Sequence, residues 1–341
     1  MTSELPEIEP SLLRDIQSDL EESLLGGPRT YTRTDIASFA GVSIERADRL
    51  WVAMGFAADT DPGGVMFTEG DALALRTIAS LVERGIISRE REVAAARALG
   101  QAMSRLAEWE VSLISTHIVD QLADSVDSDP QAIRERVRAL STEILPAVES
   151  LQGYVWRRHV ASTTGRNVGN PGEEVTSRTL VVGFADIVGY TSLTRELETR
   201  ELADMLERFE SMSASVIGRH LGWVVKTVGD EVMFAVESPA DAAEIALGLQ
   251  EQVLSDASDP ALRVGLAMGP VLVRFGDLYG SVVNTAARLT GSARPGTVLI
   301  DDELARELAD SPGYHLKQLR PRRVRGIRRL EQFVLRRNRD D

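Results

Sequence analysis

The sequence predicts an α-helical N-terminal domain followed by an α/β domain of the ferredoxin-like kind. Three observations carry that expectation. Apolar residues recur at helical spacing from residue 9 to about 160, short β-rich apolar runs alternate with helical segments from Arg178 onward, and a Gly-, Asn- and Thr-rich stretch, TTGRNVGNPGEE, lies between. The expected boundaries are 1–165 for the helical domain, 166–177 for a linker and 178–341 for the α/β domain. A length of 341 residues suits two domains of ordinary size, and 43% apolar with 26% charged residues marks them as globular.

The elements follow in order. Ser11 is placed to cap SLLRDIQSDLEESLL, and Gly26-Gly27-Pro28 ends that helix. YTRTDIASFAGVSIERADRLWVAMGF reads as two helices around a turn at Gly41, and Thr68 as the cap of a helix that stops near Gly85. AARALGQAMSRLAEWEVSLISTHIVDQLA and AIRERVRALSTEILPAVESLQGYVWRRHV are two further amphipathic stretches. Beyond the linker, RTLVVGFADI, WVVKTVG, EVMFAVE, LRVGLAMG and GTVLI read as strands. WVVKTVG and EVMFAVE meet at Gly229-Asp230, the turn of a hairpin. ELADMLERFESMSASVIGRH and ADAAEIALGLQEQVL supply helices between the strands.

Composition narrows the function classes. With no cysteine there is no disulfide framework, zinc–thiolate site or thiol nucleophile. A net charge of -14 opposes general nucleic-acid affinity, which needs a basic surface. The N-terminus MTSELPEIEP lacks the basic and apolar regions of a signal peptide, and no apolar stretch is long enough for a bilayer span, so a cytoplasmic location is expected. Positive charge concentrates in the tail, RPRRVRGIRRLEQFVLRRNR, which reads either as a solvated strand pair or as an anion-binding edge. Lysine occurs twice only, at Lys226 and Lys317, so a lysine inside a motif stands out.

Three segments carry chemistry. Asp186 in VVGFADIVGYTSL ends a buried strand, and the Gly189-Tyr190-Thr191 turn leads into a helix start, whose free N–H groups favour phosphate. Asp230 sits in the hairpin turn of VVKTVGDEVMFAV; by itself it is ordinary turn chemistry, but beside Asp186 it makes a hard oxygen site suited to magnesium or manganese. In GDLYGSVVNTAARLTGSARPG, Asn284 and Arg288 share one helix face and Asp277 lies just upstream; polar residues there are often only surface groups.

Together these segments resemble the class III adenylate and guanylate cyclases over about residues 177 to 336: FADIVGYTSL resembles the first metal motif, KTVGDEVMF the second, and DLYGSVVNTAAR the segment of base-selecting and transition-state residues. The resemblance implies a class III cyclase catalytic domain with a ferredoxin-like core. Two such domains would dimerise head to tail, with two active sites across the interface. Two Mg2+ or Mn2+ ions per site would lie at Asp186, Ile187 and Asp230, with the phosphates near Gly189, Tyr190 and Thr191. Lys226 and Asp277 of the partner chain would select the base, and Asn284 and Arg288 would orient the ribose and stabilise the transferring phosphoryl group. Arg325, in VRGI, stands where a lysine often contacts the terminal phosphates, and arginine keeps that charge. The implied reaction converts ATP to cyclic AMP and pyrophosphate. A guanylate cyclase or an inactive nucleotide-binding module are the alternatives, and a diguanylate cyclase lacks its GGDEF-like hairpin here.

YTRTDIASFAGVSIERADRLWVAMGF with FTEGDALAL resembles, more weakly, the regulatory domain of soluble actinobacterial adenylyl cyclases, the acid-responsive mycobacterial group among them. A helix-turn-helix reading DNA is the rival, opposed by a net charge of -10 over residues 1 to 165 (16 arginines against 26 acids). His159, beside Arg157 and Arg158 where the last helix is expected to meet the linker, is the candidate for a pH-sensitive junction.

Overall fold

The computed structural model describes residues 10–57, 61, 63–123, 130–167, 176–255, 260–324 and 327–338. The chain divides into two compact units, Met1–Pro171 and Gly172–Asp341.

The first unit holds α1 (Pro10–Leu24), α2 (Arg33–Ala40), α3 (Ile44–Ala53), α4 (Glu69–Glu83), α5 (Glu92–Ala123) and α6 (Pro130–Asn167). Helix α1 begins one residue before Ser11, which therefore lies inside it rather than capping it. Two capping boxes start α2 and α4: Thr32 with Asp35, and Thr68 with Asp71, each side chain bonding the other's backbone N–H. Gly41, at φ 67°, ends α2 in the left-handed conformation that glycine adopts without penalty. Ile36, Leu50, Phe67 and Leu75 form the core of this part, closed by a bridge between Tyr31 and Phe67. The Arg46 Nε donates to both oxygens of the buried Glu92 at 3.0 and 3.1 Å, which ties α3 to α5. That guanidinium is one of the few cations the DNA-reading alternative had on α3. Arg134 on α6 grips Asp19 on α1 at 2.6 and 2.7 Å.

The second unit holds β1 (Thr176–Ile187), α7 (Tyr190–Glu196), α8 (Thr199–Arg219), β2 (Trp223–Val228), β3 (Glu231–Val236), α9 (Pro239–Ser255), β4 (Leu262–Arg274), β5 (Asp277–Tyr279), α10 (Ser281–Ser292), β6 (Thr297–Ile300), α11 (Asp302–Leu308), β7 (Tyr314–Gln318), β8 (Arg322–Val324), β9 (Ile327–Leu330) and β10 (Phe333–Arg337). Strand β1 thus starts within the stretch read as linker, and α6 runs into that stretch from the other side. The main sheet has the order β2-β3-β1-β4-β6-β10-β7, with β5 added beside β4, and β8 and β9 pair separately. All its pairings are antiparallel except β4 with β6.

Alternation along β1 builds both faces. Val181, Ala185 and Ile187 turn to a layer that includes Ile217 of α8 and Ile245 and Leu249 of α9. Leu180, Val182 and Phe184 turn to the opposite layer, where Ala286 and Leu289 of α10 pack. Helix α10 approaches β4 very closely at Gly265: a Cβ there would lie 2.3 Å from the Thr290 nitrogen and 2.7 Å from the Ala286 carbonyl oxygen. Asp301, between β6 and α11, is buried and accepts N–H bonds from Leu304 and Met268. Burial pushes its carboxyl up to about 7, against the opposing pull of those two N–H groups.

Two outcomes follow from this packing. Gly265→Ala is expected to cost about 1–3 kcal/mol, because the helix backbone must retreat, whereas Gly218→Ala meets nothing within 4 Å and is expected to be neutral or slightly stabilising. Urea-unfolding midpoints of the two variants check this. A carboxyl raised by folding contributes stability that is complete below the ordinary carboxylate range and lost as pH rises through about 7. Asp301→Asn, which cannot ionise, is therefore expected to flatten the fall in melting temperature across that range; an unchanged slope in thermal unfolding would refute the assignment.

Candidate active site

The carboxylates meet where three strands end or begin together. Asp186, next to last in β1, pairs across β3 with Glu231 and across β4 with Arg263. Asp230 occupies the β2–β3 turn with Gly229, whose φ of 62° makes the tight reversal. The Ile187 N–H donates to the Asp230 carbonyl at 3.2 Å, locking that turn onto the end of β1. Burial, then the neighbouring charge of Asp230, pushes the Asp186 carboxyl up to about 6, and Arg263 opposes the shift. Burial and the same two aspartates push Glu231 up to about 7.

A carboxyl raised by burial and by a neighbouring carboxylate charge is what a hard divalent cation would relieve, so Asp186 beside Asp230 fits the expected metal role. Among the described residues no cluster of three or more His, Cys, Asp or Glu groups forms a metal-holding set. Such a cation would therefore rely on two carboxylates and on oxygens brought by a ligand, the usual manner of magnesium.

Two residues here escaped the sequence reading. Glu231 directly follows Asp230 and was read as part of a strand, although its place opposite Asp186 follows from the hairpin register. Arg263 interrupts the apolar run LRVGLAMG, and that interruption was the available signal. Its Nε is buried and has no hydrogen-bond partner among the described residues. A guanidinium held this way, beside carboxylates, has bonding capacity left for an anion.

A second group forms between β2 and β5. Lys226 on β2 donates from Nζ to Asp277 Oδ2 on β5 at 2.6 Å, and the Leu278 N–H holds Asp277 Oδ1 at 2.8 Å. Both carboxylate oxygens of Asp277 are thereby oriented, while the pair stays partly open to solvent. Asn284 and Arg288 are exposed on α10, one turn apart, as the spacing predicts. The start of β4 carries Arg263 against Asp186 and its end carries Arg274 against Asp277, while Lys226 stands on the same hairpin as Asp230.

Gly189, at φ 79°, opens the short helix α7 that contains Tyr190 and Thr191. Arg325 lies outside the described residues. His159 is exposed within α6, which continues to Asn167, so the helix does not end beside it as the sequence suggested. No helix among the described residues is long and apolar enough to cross a membrane.

The family model for the adenylate and guanylate cyclase catalytic domain matches residues 173–337. An adenylate cyclase of Streptomyces coelicolor is 43% identical over 291 residues, covering 85% of this chain and 74% of that protein. An adenylate cyclase of Glutamicibacter nicotianae is 37% identical over 346 residues, covering 97% of this chain and 85% of that protein. A pH-sensitive adenylate cyclase of Mycobacterium tuberculosis is 32% identical over 319 residues, covering 89% and 78%. With its carboxylate pair, its lysine–aspartate pair and relatives that extend over most of its length, this chain belongs to the adenylate and guanylate cyclase family.

Proposed function

We propose that this chain is an adenylate cyclase that converts ATP to 3′,5′-cyclic AMP and pyrophosphate at sites shared by two copies of its second unit. The observation that carries the choice of base is the Lys226–Asp277 pair. Adenine offers an amino donor to the carboxylate and a ring nitrogen to the ammonium. Guanine would set its oxygen against the carboxylate and leave that charge unpaired. Support for a shared site comes from β4, whose start pairs with Asp186 and whose far end pairs with Asp277. A head-to-tail partner brings the second group of one copy to the first group of the other.

In this reading, Asp186, Asp230 and the Ile187 carbonyl would hold Mg2+ or Mn2+, which would supply charge against the phosphates and lower the pKa of the attacking hydroxyl. Arg325 grips phosphate oxygens, as do the main-chain N–H groups around Gly189, Tyr190 and Thr191. Asn284 orients the ribose so that its 3′-oxygen lies in line with the α-phosphorus, and Arg288 offsets charge growing on the transferring phosphoryl group. The O3′–Pα bond forms, the bond from Pα to the bridging oxygen of pyrophosphate breaks, and the 3′-hydroxyl proton passes to solvent.

Asp186→Ala or Asp230→Ala is expected to lower cyclic AMP formation by about 100-fold or more without unfolding the chain, since each removes a repelled carboxylate rather than a packed apolar group. Mixing the Asp186→Ala chain with an Asn284→Ala chain is expected to restore one intact site per heterodimer. A mixture that stays inactive while subunits demonstrably exchange would sink the shared-site reading. Lys226→Glu combined with Asp277→Cys is expected to reduce turnover of ATP by about 100-fold or more through the lost hydrogen-bond pattern; an unchanged preference for ATP over GTP would show that these residues do not read the base.

A further inference from the structure

Among the described residues of the second unit, the large apolar side chains left exposed are Leu221, Val224, Val228, Phe275 and Tyr279. All but Leu221 stand two residues to one side or the other of Lys226 or Asp277. Exposed apolar surface is therefore gathered around one ion pair. A flat heterocycle hydrogen-bonded to that pair needs such surface against its faces.

Of these residues, Phe275 is the one whose backbone is held against its preference within that group. It fills the first position of the two-residue turn between β4 and β5, where Arg274 and Asp277 stand directly opposite each other. Its φ is 50° and that of Gly276 is 80°, the two positive angles of a type I′ turn. Such a turn favours Asn-Gly, because a bulky side chain in the left-handed region is strained. The ring gains little burial in return, for the residue is 50% exposed. Leu221 also has a positive φ, but at a helix C-terminus, where one left-handed residue is an ordinary ending. Strain kept at Phe275 without a packing gain points to a contact made with something else.

The register places the ring with the ion pair. Residues directly opposite on two strands share a face, so Arg274 and Asp277 point to the same side of the hairpin. The Arg274 guanidinium lies over the Phe275 ring, 5.2 Å from its centroid, which draws the ring towards that side. Asp277 in turn accepts from Lys226 at 2.6 Å.

We propose that Phe275 is a further substrate-binding residue, whose ring stacks on the purine read by Lys226 and Asp277 while Arg274 holds the ring from its other face. This rests on the base-reading role given to that pair above. It adds a contact to the flat of the base, which hydrogen bonds in the base plane leave uncovered. Aromatic stacking does not discriminate hydrogen-bond patterns. Phe275 therefore contributes affinity for either purine, and the ion pair contributes the choice between them.

Full-length Phe275→Asn is the test, because asparagine suits the turn and the variant is expected to melt no lower than the parent chain. Binding of 3′-deoxy-ATP, which lacks the attacking hydroxyl, is measured by isothermal titration with Mg2+ present. Affinity is expected to fall about tenfold in Phe275→Asn and to be kept in Phe275→Trp. 3′-Deoxy-GTP is expected to lose affinity by the same factor, and inorganic tripolyphosphate to bind all three chains alike. Equal affinity of parent and Phe275→Asn for 3′-deoxy-ATP overturns the proposal. So does an equal weakening of tripolyphosphate, which marks a general disturbance of the site. Loss of self-association in sedimentation, with nucleotide affinity unchanged, also overturns it and assigns the ring to a contact between copies. Lys226→Glu with Asp277→Cys tells the two readings apart. If that double variant keeps the parent's preference for ATP over GTP, the base-reading role fails; if it loses the preference while Phe275→Asn binds like the parent, the stacking alone fails.

Discussion

Strand β1 is the constraint on which the catalytic unit depends. From Val181 to Asp186 it is paired on both sides, with β3 and with β4, so its side chains there must serve two cores at once. Apolar residues fill both rows until Asp186, where the strand reaches the sheet's end and meets Glu231, Asp230 and Arg263. The same pairing that buries Val181 and Val182 therefore fixes three carboxyls and a guanidinium at one place. Their mutual repulsion and partial burial are tolerable for the fold because the rest of β1 is so well packed. A site of that kind is poised for cations and anionic ligands.

Helix α10 couples the second half of the chemistry to the same strands. Gly265 lets the helix sit almost on β4, and the buried face of α10, through Ala286 and Leu289, keeps Asn284 and Arg288 turned outward. Strand β5, added beside the end of β4, carries Asp277 to Lys226, and their ion pair orients both side chains. An exposed ion pair contributes little to stability. In the proposed base-reading role its value would lie in orientation, which lowers the ordering cost of binding.

The helical unit is organised on another principle. Its small core around Leu50 and Leu75 is closed by two capping boxes and by the buried Arg46–Glu92 pair, which would be costly to leave half-made. From that core α5 and α6 extend well beyond the reach of α1 to α4, and their outer apolar positions have the spacing of interfaces rather than of solvated faces. Helices of this length take most of their stability from packing of an apolar face rather than from propensity.

Periodicity alone determined the two-part architecture, because 3.6-residue and two-residue repeats are local properties of a chain. Thr32 and Thr68 before acidic residues, Gly41 after a helix, and Gly229-Asp230 between two apolar runs were likewise legible, since caps and turns depend on neighbours a few residues away. Asp186, Asp230, Lys226, Asp277, Asn284 and Arg288 could be singled out because their motifs keep short spacings. Register was not legible: that Glu231 and Arg263 flank Asp186, and that Lys226 reaches Asp277, are facts of pairing between residues about 45 to 77 positions apart in the chain. The sequence also could not show that α6 continues past His159 to Asn167, because Thr163, Thr164 and Gly165 are weak helix formers whose state is set by context. Local chemistry is written in adjacent residues, but the juxtaposition of distant ones is decided only when the sheet closes and its hydrogen bonds choose one register.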